Sequence, residues 1–571
     1  MKGTDRRQRP DIRATRWNIT TFHPDQISPG YWFIDPISHV PPDKDDPRPL
    51  GPHIYDSEGE LVWSGAGLMN ENVMDFRVSN VKGEDMLTLL FKGTAFLIDD
   101  RYEIREKIEI SEPWRADEHD FYFLDNGRRV LVFQKEERNA TLDQSREVGF
   151  DGNCVVTYEQ FQELDTETWQ PVFYWDSMDH VPLIESTQEN SFIEDRCAGW
   201  DYLYSVPLPY SALLLPSSLL TGDGDSHANA IDKTLDGDYL VSGRHTDTIY
   251  KVSGKDGHII WRLGGKMSDF GQGDWTFSRQ HNARIHDQNA THLVLSILDN
   301  ASANDRQKPT YKSSRGLLLA VDEESMTVTI LNQIDHPDGE GNYAPQRGNY
   351  QRLPDGNIFI GWSEMGIQSE HAPDGTILMH ARMMAEWLGS YRSLKFNFTG
   401  RPSEKPAVHS VAYKTDDDDA ESSVTVVHIS WNGATEVASW NMYKTTKEGD
   451  TKELVRSIER TGFESIIEYN GFAGFILLEA VGKHGEVLGE SEITATITTS
   501  NISNRMAIFL LGALSSAMVL FIFEALWHCC GPTRPRYERL AEKNHEEETK
   551  EPRTSLRAGR NSLDSVYYCE S

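Results

Sequence analysis

The chain is short of cations, of cysteine and of long apolar runs. Its 571 residues carry 56 Lys and Arg against 89 Asp and Glu, a formal net charge of −33. A phosphate backbone selects for Lys- and Arg-rich faces, so a nucleic-acid partner is excluded. Five cysteines are too few for a disulfide-built scaffold. With 43 Gly and 25 Pro the composition is near average, which excludes collagenous and low-complexity classes. The opening residues, MKGTDRRQRPDIRATRWNIT, are charged but lack the apolar stretch of a signal peptide. What is present is a 38% hydrophobic and 10% aromatic composition with 14 Trp. That is ample material for packed cores and excludes global disorder. Length suggests two to four domains of roughly 100–200 residues, or fewer if one is a large all-β unit.

One apolar run breaks the pattern. Met506 to Trp527 reads MAIFLLGALSSAMVLFIFEALW, with Glu524 as its one charge near the end. A bilayer core needs about 20 apolar residues in a helix. The alternative, a buried core helix, seldom runs so long without a polar face. Arg534, Arg536 and Arg539 follow the run and only Arg505 lies just before it. The positive-inside rule then sets the tail in the cytosol and residues 1–505 in a lumen or outside. A single-pass membrane protein is therefore expected. Cys529 and Cys530 at the cytosolic edge read equally as palmitoylation sites or as plain thiols.

Six sequons agree with a lumenal or extracellular N-terminal part: Asn18, Asn139, Asn289, Asn300, Asn397 and Asn501. Cys154 and Cys197 are the only cysteines before the run, and one disulfide between them is a candidate. The missing export signal leaves two readings open. Either the natural N-terminus lies upstream of this sequence, or the C-terminal helix is a tail anchor and the large domain stays in the cytosol.

Residues 60–400 repeat short β-type runs between Asp-Gly, Asn-Gly or Gly-rich turns. DGDYLVSGRHTDTIYKVSGKDGHIIWRLGG, 236–265, reads as strand, turn, strand, turn, strand. Similar units occupy 83–108, 126–133 with 161–175, 292–301 with 316–334, and 355–381. Their spacing is near that of four-stranded propeller blades, of which five or six fit. A set of β-sandwiches is the competing architecture. Residues 404–500 show about seven short strands and read as an immunoglobulin or fibronectin-III-like sandwich. Within it, Asp416–Asp419 reads as a solvated acidic loop, with a calcium site as the sharper alternative. The fold expected is all-β: an irregular segment at 1–30, a six-bladed propeller at 31–403, the sandwich at 404–500, a transmembrane helix at 506–527 and a disordered cytosolic tail at 528–571. In the tail, Tyr537 to Leu540 has the form of a tyrosine sorting signal.

Polar residues before the strand pairs are the candidates for chemistry. They are His119 in DEHDF, His227 and Asn229 in SHANA, Arg244 in LVSGRHT, and His281 in RQHNAR. Alternation along a strand puts His227 and Asn229 on one face. Histidines with an amide and an arginine suit either an anion site with an attacking imidazole or a metal site. An arginine disfavours the metal. For each histidine alone, a hydrogen-bonded structural role is the competing reading. His245, His258, His286, His292 and His371 are assigned to that class or to the surface, and His180 is intermediate. No GxxxxGK[ST] motif occurs in this region and no cofactor is indicated.

FQELDTETWQPVFYWDSMDHV, the SHANA–RLGGK stretch, FSRQHNARIHD with LSILDNA, YQRLPDGNIFIGWSE, and ISWNGATEVASW together resemble the fungal branch of the arylsulfotransferase family. The resemblance covers about residues 30–500. It implies a six-bladed propeller that moves a sulfuryl group from an aryl sulfate to a phenol, without a nucleotide donor, through a sulfohistidine. It implies His281 as nucleophile, with His227, Asn229 and Arg244 on the sulfuryl oxygens and His119 as a further pocket histidine. A membrane-anchored aryl sulfate sulfotransferase is thus the expected function, with an aryl sulfate donor and a phenolic acceptor. The alternative is a non-catalytic surface protein that binds a glycan or a protein partner.

The tail, 528–571, holds eight Lys or Arg and eight Asp or Glu. The whole charge excess therefore lies before it. An acidic domain repels anions at long range, so an aryl sulfate would need a local positive focus.

Overall fold

The computed structural model describes residues 9 and 11–498, except 40–49, 110–114, 148–150, 153–154, 188–227, 272, 274, 303–307 and 415–422. The chain divides into a unit of residues 1–501 and a unit of residues 502–571, and the second lies outside the described residues. Among the described residues no helix is long and apolar enough to cross a membrane. The run 506–527, the tail, Cys154, Cys197, Asn501 and Asp416–Asp419 all lie outside them.

The fold is all-β, with eight sheets of four or five strands among the described residues. Four are meanders of consecutive antiparallel strands. The first runs Met74–Val81, Glu84–Phe91, Thr94–Ile98, Ile104–Glu109 and the second Arg115–Leu124, Arg129–Asn139, Val155–Asp165, Pro171–Asp176. The third runs Ala228–Lys233, Tyr239–Gly243, Thr248–Val252, Ile259–Gly264 and the fourth His281–Gln288, His292–Asp299, Arg315–Asp322, Thr327–Asp335. Short Gly turns close the hairpins. Gly237, at φ +93°, makes the tight return that the sequence DGD announces.

Two further sheets are completed from the N-terminal end of the chain. Asn349–Arg352, Ile358–Trp362, Ile367–His371 and Ile377–Met383 form the fifth, and Trp17–Phe22 adds as its last strand. Leu388–Phe396 pairs with Tyr31–Ser38, then His53–Tyr55 and Leu61–Ser64, to form the sixth. Residues 1–30 are therefore not irregular throughout. Trp17–Phe22 pairs antiparallel with Ile377–Met383 because that strand offers a free edge, and Trp17 packs edge-on against Trp32.

Each of these six sheets shares an apolar core with the next. Leu89 packs with Phe33, Val130 with Leu97, Tyr239 with Phe161, Leu295 with Ile249, Ile360 with Leu298, and Trp32 with Phe359. The last pair returns to the sheet that begins the series, so the cores form a closed cycle. Burying such a side chain contributes about 1.5–3 kcal/mol.

A relay of carboxylates and amides stitches neighbouring sheets together. Asp35 accepts from the backbone N–H of Phe76, Asp75 from Phe121, Asp120 from Ile231, and Asp232 from Ile285. Asn349 accepts from Ser393. Each link spans two sheets. Arg392, buried at 2% exposure, donates to Asp75, Asp120 and the Asn229 carbonyl, three different sheets at once.

The last two sheets lie within 407–498. Val427, Ile429 and Ile467 of one form a single core with Trp440, Met442, Ile476 and Leu478 of the other. Two specific contacts tie this pair to the sixth sheet. Asn432 exchanges two hydrogen bonds with the Ser64 backbone at 2.9 and 3.0 Å. Tyr102 stacks on Trp63 at 4.6 Å and donates to the Gly433 carbonyl.

Candidate active site

His281 opens the edge strand His281–Gln288 and is 4% exposed. The backbone around it is unusual. Arg279, Asn282, Asp247, Ala301 and Arg347 all have φ between +51° and +63°, a region that non-glycine residues rarely adopt. Such strain persists only where surrounding contacts impose it, and it concentrates at functional sites. Here the contacts are on view. The Asp247 carboxylate accepts from the Arg279 backbone N–H at 2.8 Å, and the Asp299 carboxylate from Ser278 and Ala301 at 3.0 Å each.

The imidazole itself is held at both nitrogens. Nδ1 lies 2.7 Å from Oδ1 of Asn300 and 3.0 Å from the carbonyl of Arg279. Both partners accept, so Nδ1 carries the proton. Nε2 then holds the lone pair, and it accepts from the backbone N–H of Arg347 at 3.1 Å. Burial pushes the pKa of His281 well below the usual range, and the Arg244 charge adds to this. The ring is therefore neutral, with its nucleophilic lone pair on Nε2.

Asn229 is fully buried, and its amide is spent on the backbone beside His281. Nδ2 donates to the Gln280 carbonyl at 2.8 Å, and Oδ1 accepts from the Asn282 N–H at 3.2 Å. Asn229 thus grips the chain on either side of His281. Arg244 is buried and reaches the same neighbourhood. Its Nη1 lies 2.9 Å from Nε2 of His245, and its Nη2 donates to the Pro345 carbonyl at 3.0 Å. His227 lies outside the described residues.

His119 is 7% exposed and belongs to the same cluster, since a charge on it disfavours the charged form of His281. Its Nδ1 donates to Asp117 at 2.7 Å, and Lys135 holds the other oxygen of that carboxylate. Nε2 of His119 is thereby the ring's basic nitrogen. Tyr391 sits edge-on to this ring at 5.6 Å and donates to the His119 carbonyl. His281, Arg244 and His119 thus lie close enough to act on one another electrostatically.

Sequence reasoning missed Asn300, Arg279 and Arg347. Asn300 was read as a sequon. It is fully buried and its amide makes three bonds, to His281, Ala344 and Arg347, so no glycan fits there in the folded chain. Its place at the end of a strand, in Asp-Asn-Ala directly after the buried run LSIL, is the available signal. Asn18, Asn139, Asn289 and Asn397 are exposed. Of the histidines assigned structural or surface roles, His245 and His371 are buried, His286 is half-buried, and His258 and His292 are exposed. His180 stacks on Trp175 at 5.5 Å, away from His281. Among the described residues no cluster of His, Cys, Asp and Glu could hold a metal ion.

The positive charge near His281 is concentrated. Arg244, Arg279 and Arg347 are all buried. Arg279 pairs with Asp247 at 3.2 Å and Arg347 with Glu364 at 2.9 Å.

Comparison with known proteins adds a family match over part of the chain. Residues 110–384 match the family model described as Arylsulfotransferase (ASST). The matched span holds His119, Asn229, Arg244, His281, Asn300 and Arg347. No curated protein matches. Among solved structures, a protein of unknown function from Bacteroides caccae is 12% identical, covering 65% of this chain and 99% of its own, with a TM-score of 0.36. The hydrazine synthase of Kuenenia stuttgartiensis is 9% identical over 52% of this chain and 76% of its own, with a TM-score of 0.26. Virginiamycin B lyase from Staphylococcus aureus is 9% identical over 71% of this chain and 91% of its own, with a TM-score of 0.25.

Proposed function

We propose that this protein is an arylsulfate sulfotransferase that works through His281. The observation that carries the reading is the state of that ring: neutral, Nδ1 protonated, Nε2 bearing the lone pair. Nε2 attacks the sulfur of an aryl sulfate, an N–S bond forms, and the S–O bond to the aryl oxygen breaks. The aryl oxide leaves with the electron pair. Positive charge then develops on the ring, and the Asn300 and Arg279 oxygens at Nδ1–H stabilise it. In the second half the phenol oxygen attacks sulfur, the N–S bond breaks, and His119 takes the phenol proton on Nε2. General-base help of this kind contributes typically 10²–10⁴-fold. Arg244 supplies the local positive focus that an acidic domain needs to hold a sulfate.

The wider assignment follows the same reading. The six sheets with their closed cycle of cores and hydrogen-bond relay are taken as propeller blades, and the two sheets of 407–498 as an immunoglobulin- or fibronectin-III-like sandwich. Residues 506–527 anchor the protein in a membrane, with the N-terminal part lumenal or extracellular and glycosylated at exposed sequons. The fungal branch is the suggested kinship. The family match over 110–384 supports the sulfotransferase part of this reading.

One observation favours a second reading. Nε2 is capped by the Arg347 N–H and His281 is almost wholly buried. A non-catalytic surface protein that binds a glycan or protein needs no free Nε2. The experiment that decides is incubation of the detergent-solubilised full chain with an aryl sulfate and a phenol. The transferase releases the aryl alcohol and carries a sulfuryl adduct on the His281 peptide, and His281→Ala does neither. Equal release by both proteins rejects the proposal.

A further inference from the structure

Asn300 reaches His281 with one end of its amide and the turn over His281 with the other. Oδ1 accepts Nδ1–H of the ring at 2.7 Å. Nδ2 donates to the Ala344 carbonyl at 2.6 Å and to the Arg347 carbonyl at 3.0 Å. The same turn presents the Arg347 N–H to Nε2 at 3.1 Å. Other bonds hold the same turn, among them the Arg347–Glu364 ion pair at 2.9 Å. Ser314 Oγ accepts the Ala344 N–H, Arg244 donates to the Pro345 carbonyl, and the Gly348 N–H donates to the Tyr391 carbonyl.

We infer that Asn300 is a positioning residue that sets the tautomer of His281 and staples the Ala344–Arg347 turn over its Nε2. An amide suits both tasks because it offers an acceptor and two donors about 2 Å apart on one rigid plane. Serine lacks the second donor, and a carboxylate lacks donors altogether. The turn must move for Nε2 to reach any electrophile, since the Arg347 N–H occupies the lone pair. Breaking one amide's bonds to two carbonyls loosens it on the side next to the ring. As geometry this stands by itself; as a statement about catalysis it rests on the transfer reading above.

The charged or titratable groups facing His281 are Arg244 and His119. The Arg279 and Arg347 side chains are committed to Asp247 and Glu364. A carboxylate introduced at position 300 would therefore meet Nδ1–H directly.

The test uses the full chain and diethyl pyrocarbonate, a small electrophile that acylates neutral imidazole, followed by mass spectrometry of the His281 peptide. It needs no sulfuryl transfer, so its outcome is independent of the proposed activity. In Asn300→Ala and Asn300→Asp the turn is unstapled, and His281 is acylated at least several-fold faster than in the unsubstituted protein at neutral pH. The pH midpoint of acylation in Asn300→Asp lies above that of Asn300→Ala by about one to three units, the effect of an opposite charge in contact. Unchanged rates or equal midpoints overturn the inference. Should either variant misfold, nitrogen NMR of the unsubstituted protein decides, with the His281 signals identified by their loss in His281→Gln. Protonation at Nδ1 is expected; protonation at Nε2 overturns it.

Discussion

Arg284 sets its Nη2 2.7 Å from both carboxylate oxygens of Asp120, and neither residue is more than 8% exposed. They belong to different sheets and form the centre of a larger group. Asp120 also meets Arg392 and Arg77. Burial alone would raise the pKa of Asp120. The guanidinium charges of Arg284, Arg392 and Arg77 outweigh it and hold the carboxyl well below the usual range. Removing that carboxylate leaves three buried cations short of a partner. Asp120→Ala is therefore expected to cost about 3–5 kcal/mol, the range for breaking a buried pair. A thermal unfolding midpoint within a degree or two of the unsubstituted protein would contradict this.

Asn229 grips the backbone on both sides of the ring. In Asn229→Ala a buried carbonyl and a buried N–H lose their partner, at about 1–3 kcal/mol each. If the transfer reading holds, kcat falls while KM for the aryl sulfate barely moves, because the variant displaces the nucleophile and not the substrate. A KM effect with kcat unchanged would instead place Asn229 on the substrate.

Arg244 acts by charge on both substrate and ring. Arg244→Ala is expected to raise KM for an aryl sulfate by on the order of 10–100-fold, the worth of a charged hydrogen bond. It also removes a cation that disfavours protonated His281. The ring then protonates more readily, and the acid limb of kcat/KM moves to higher pH. A limb that stays in place would show that Arg244 does not face His281 in the working enzyme.

His286, His336 and His371 are each pushed down to about 4 by burial. Free histidine titrates near about 6.5. Between these values the unfolded chain takes up protons that the folded chain refuses. The stability at stake is complete above about 6.5 and is lost as pH falls toward 4. Asp299, raised to about 6 by burial, pulls the opposite way, so a single-site comparison is the clean measure. His336 packs at a tilt against Trp362, ring centres 4.8 Å apart. His336→Phe keeps a ring there and should gain thermal stability relative to the unsubstituted protein as pH drops from 6.5 to 4. A constant gap across that window would refute the assignment.

Gly433 has φ +95°, and a Cβ there would lie 2.2 Å from Cε2 of Tyr102. Gly433→Ala should loosen the contact between the 407–498 sheets and the sixth sheet. Proteolysis between residues 396 and 407 is then expected to quicken while the His281 peptide keeps its acylation rate. Coupled changes at both places would mean that the two regions communicate.

Strand runs with period-two alternation and Gly turns were readable from sequence. DGDYLVSGRHTDTIYKVSGKDGHIIWRLGG folds as read, into Tyr239–Gly243, Thr248–Val252 and Ile259–Gly264. What the sequence hid was anything that depends on distant partners. Trp17–Phe22 carries no local mark of its pairing with residues 377–383. The roles of Asn229 and Asn300 hid for the same reason. An amide that binds backbone 44 to 53 positions away is spelled the same as one that binds a ligand or a sugar.

The completion of two sheets from opposite ends of the chain bears on how the protein is made. Tyr31–Ser38 pairs with Leu388–Phe396, so a ribosome must deliver some 360 further residues before the earlier strand meets its partner. Until then the strand that carries Trp32, Phe33 and Ile34 has no partner on that side. A recombinant fragment cut to the family match, 110–384, would lack both members of this pair. It would also lack the carboxylates of Asp35 and Asp75, which anchor Phe76 and Phe121. Any trimming of this protein for expression has to keep both of these strands.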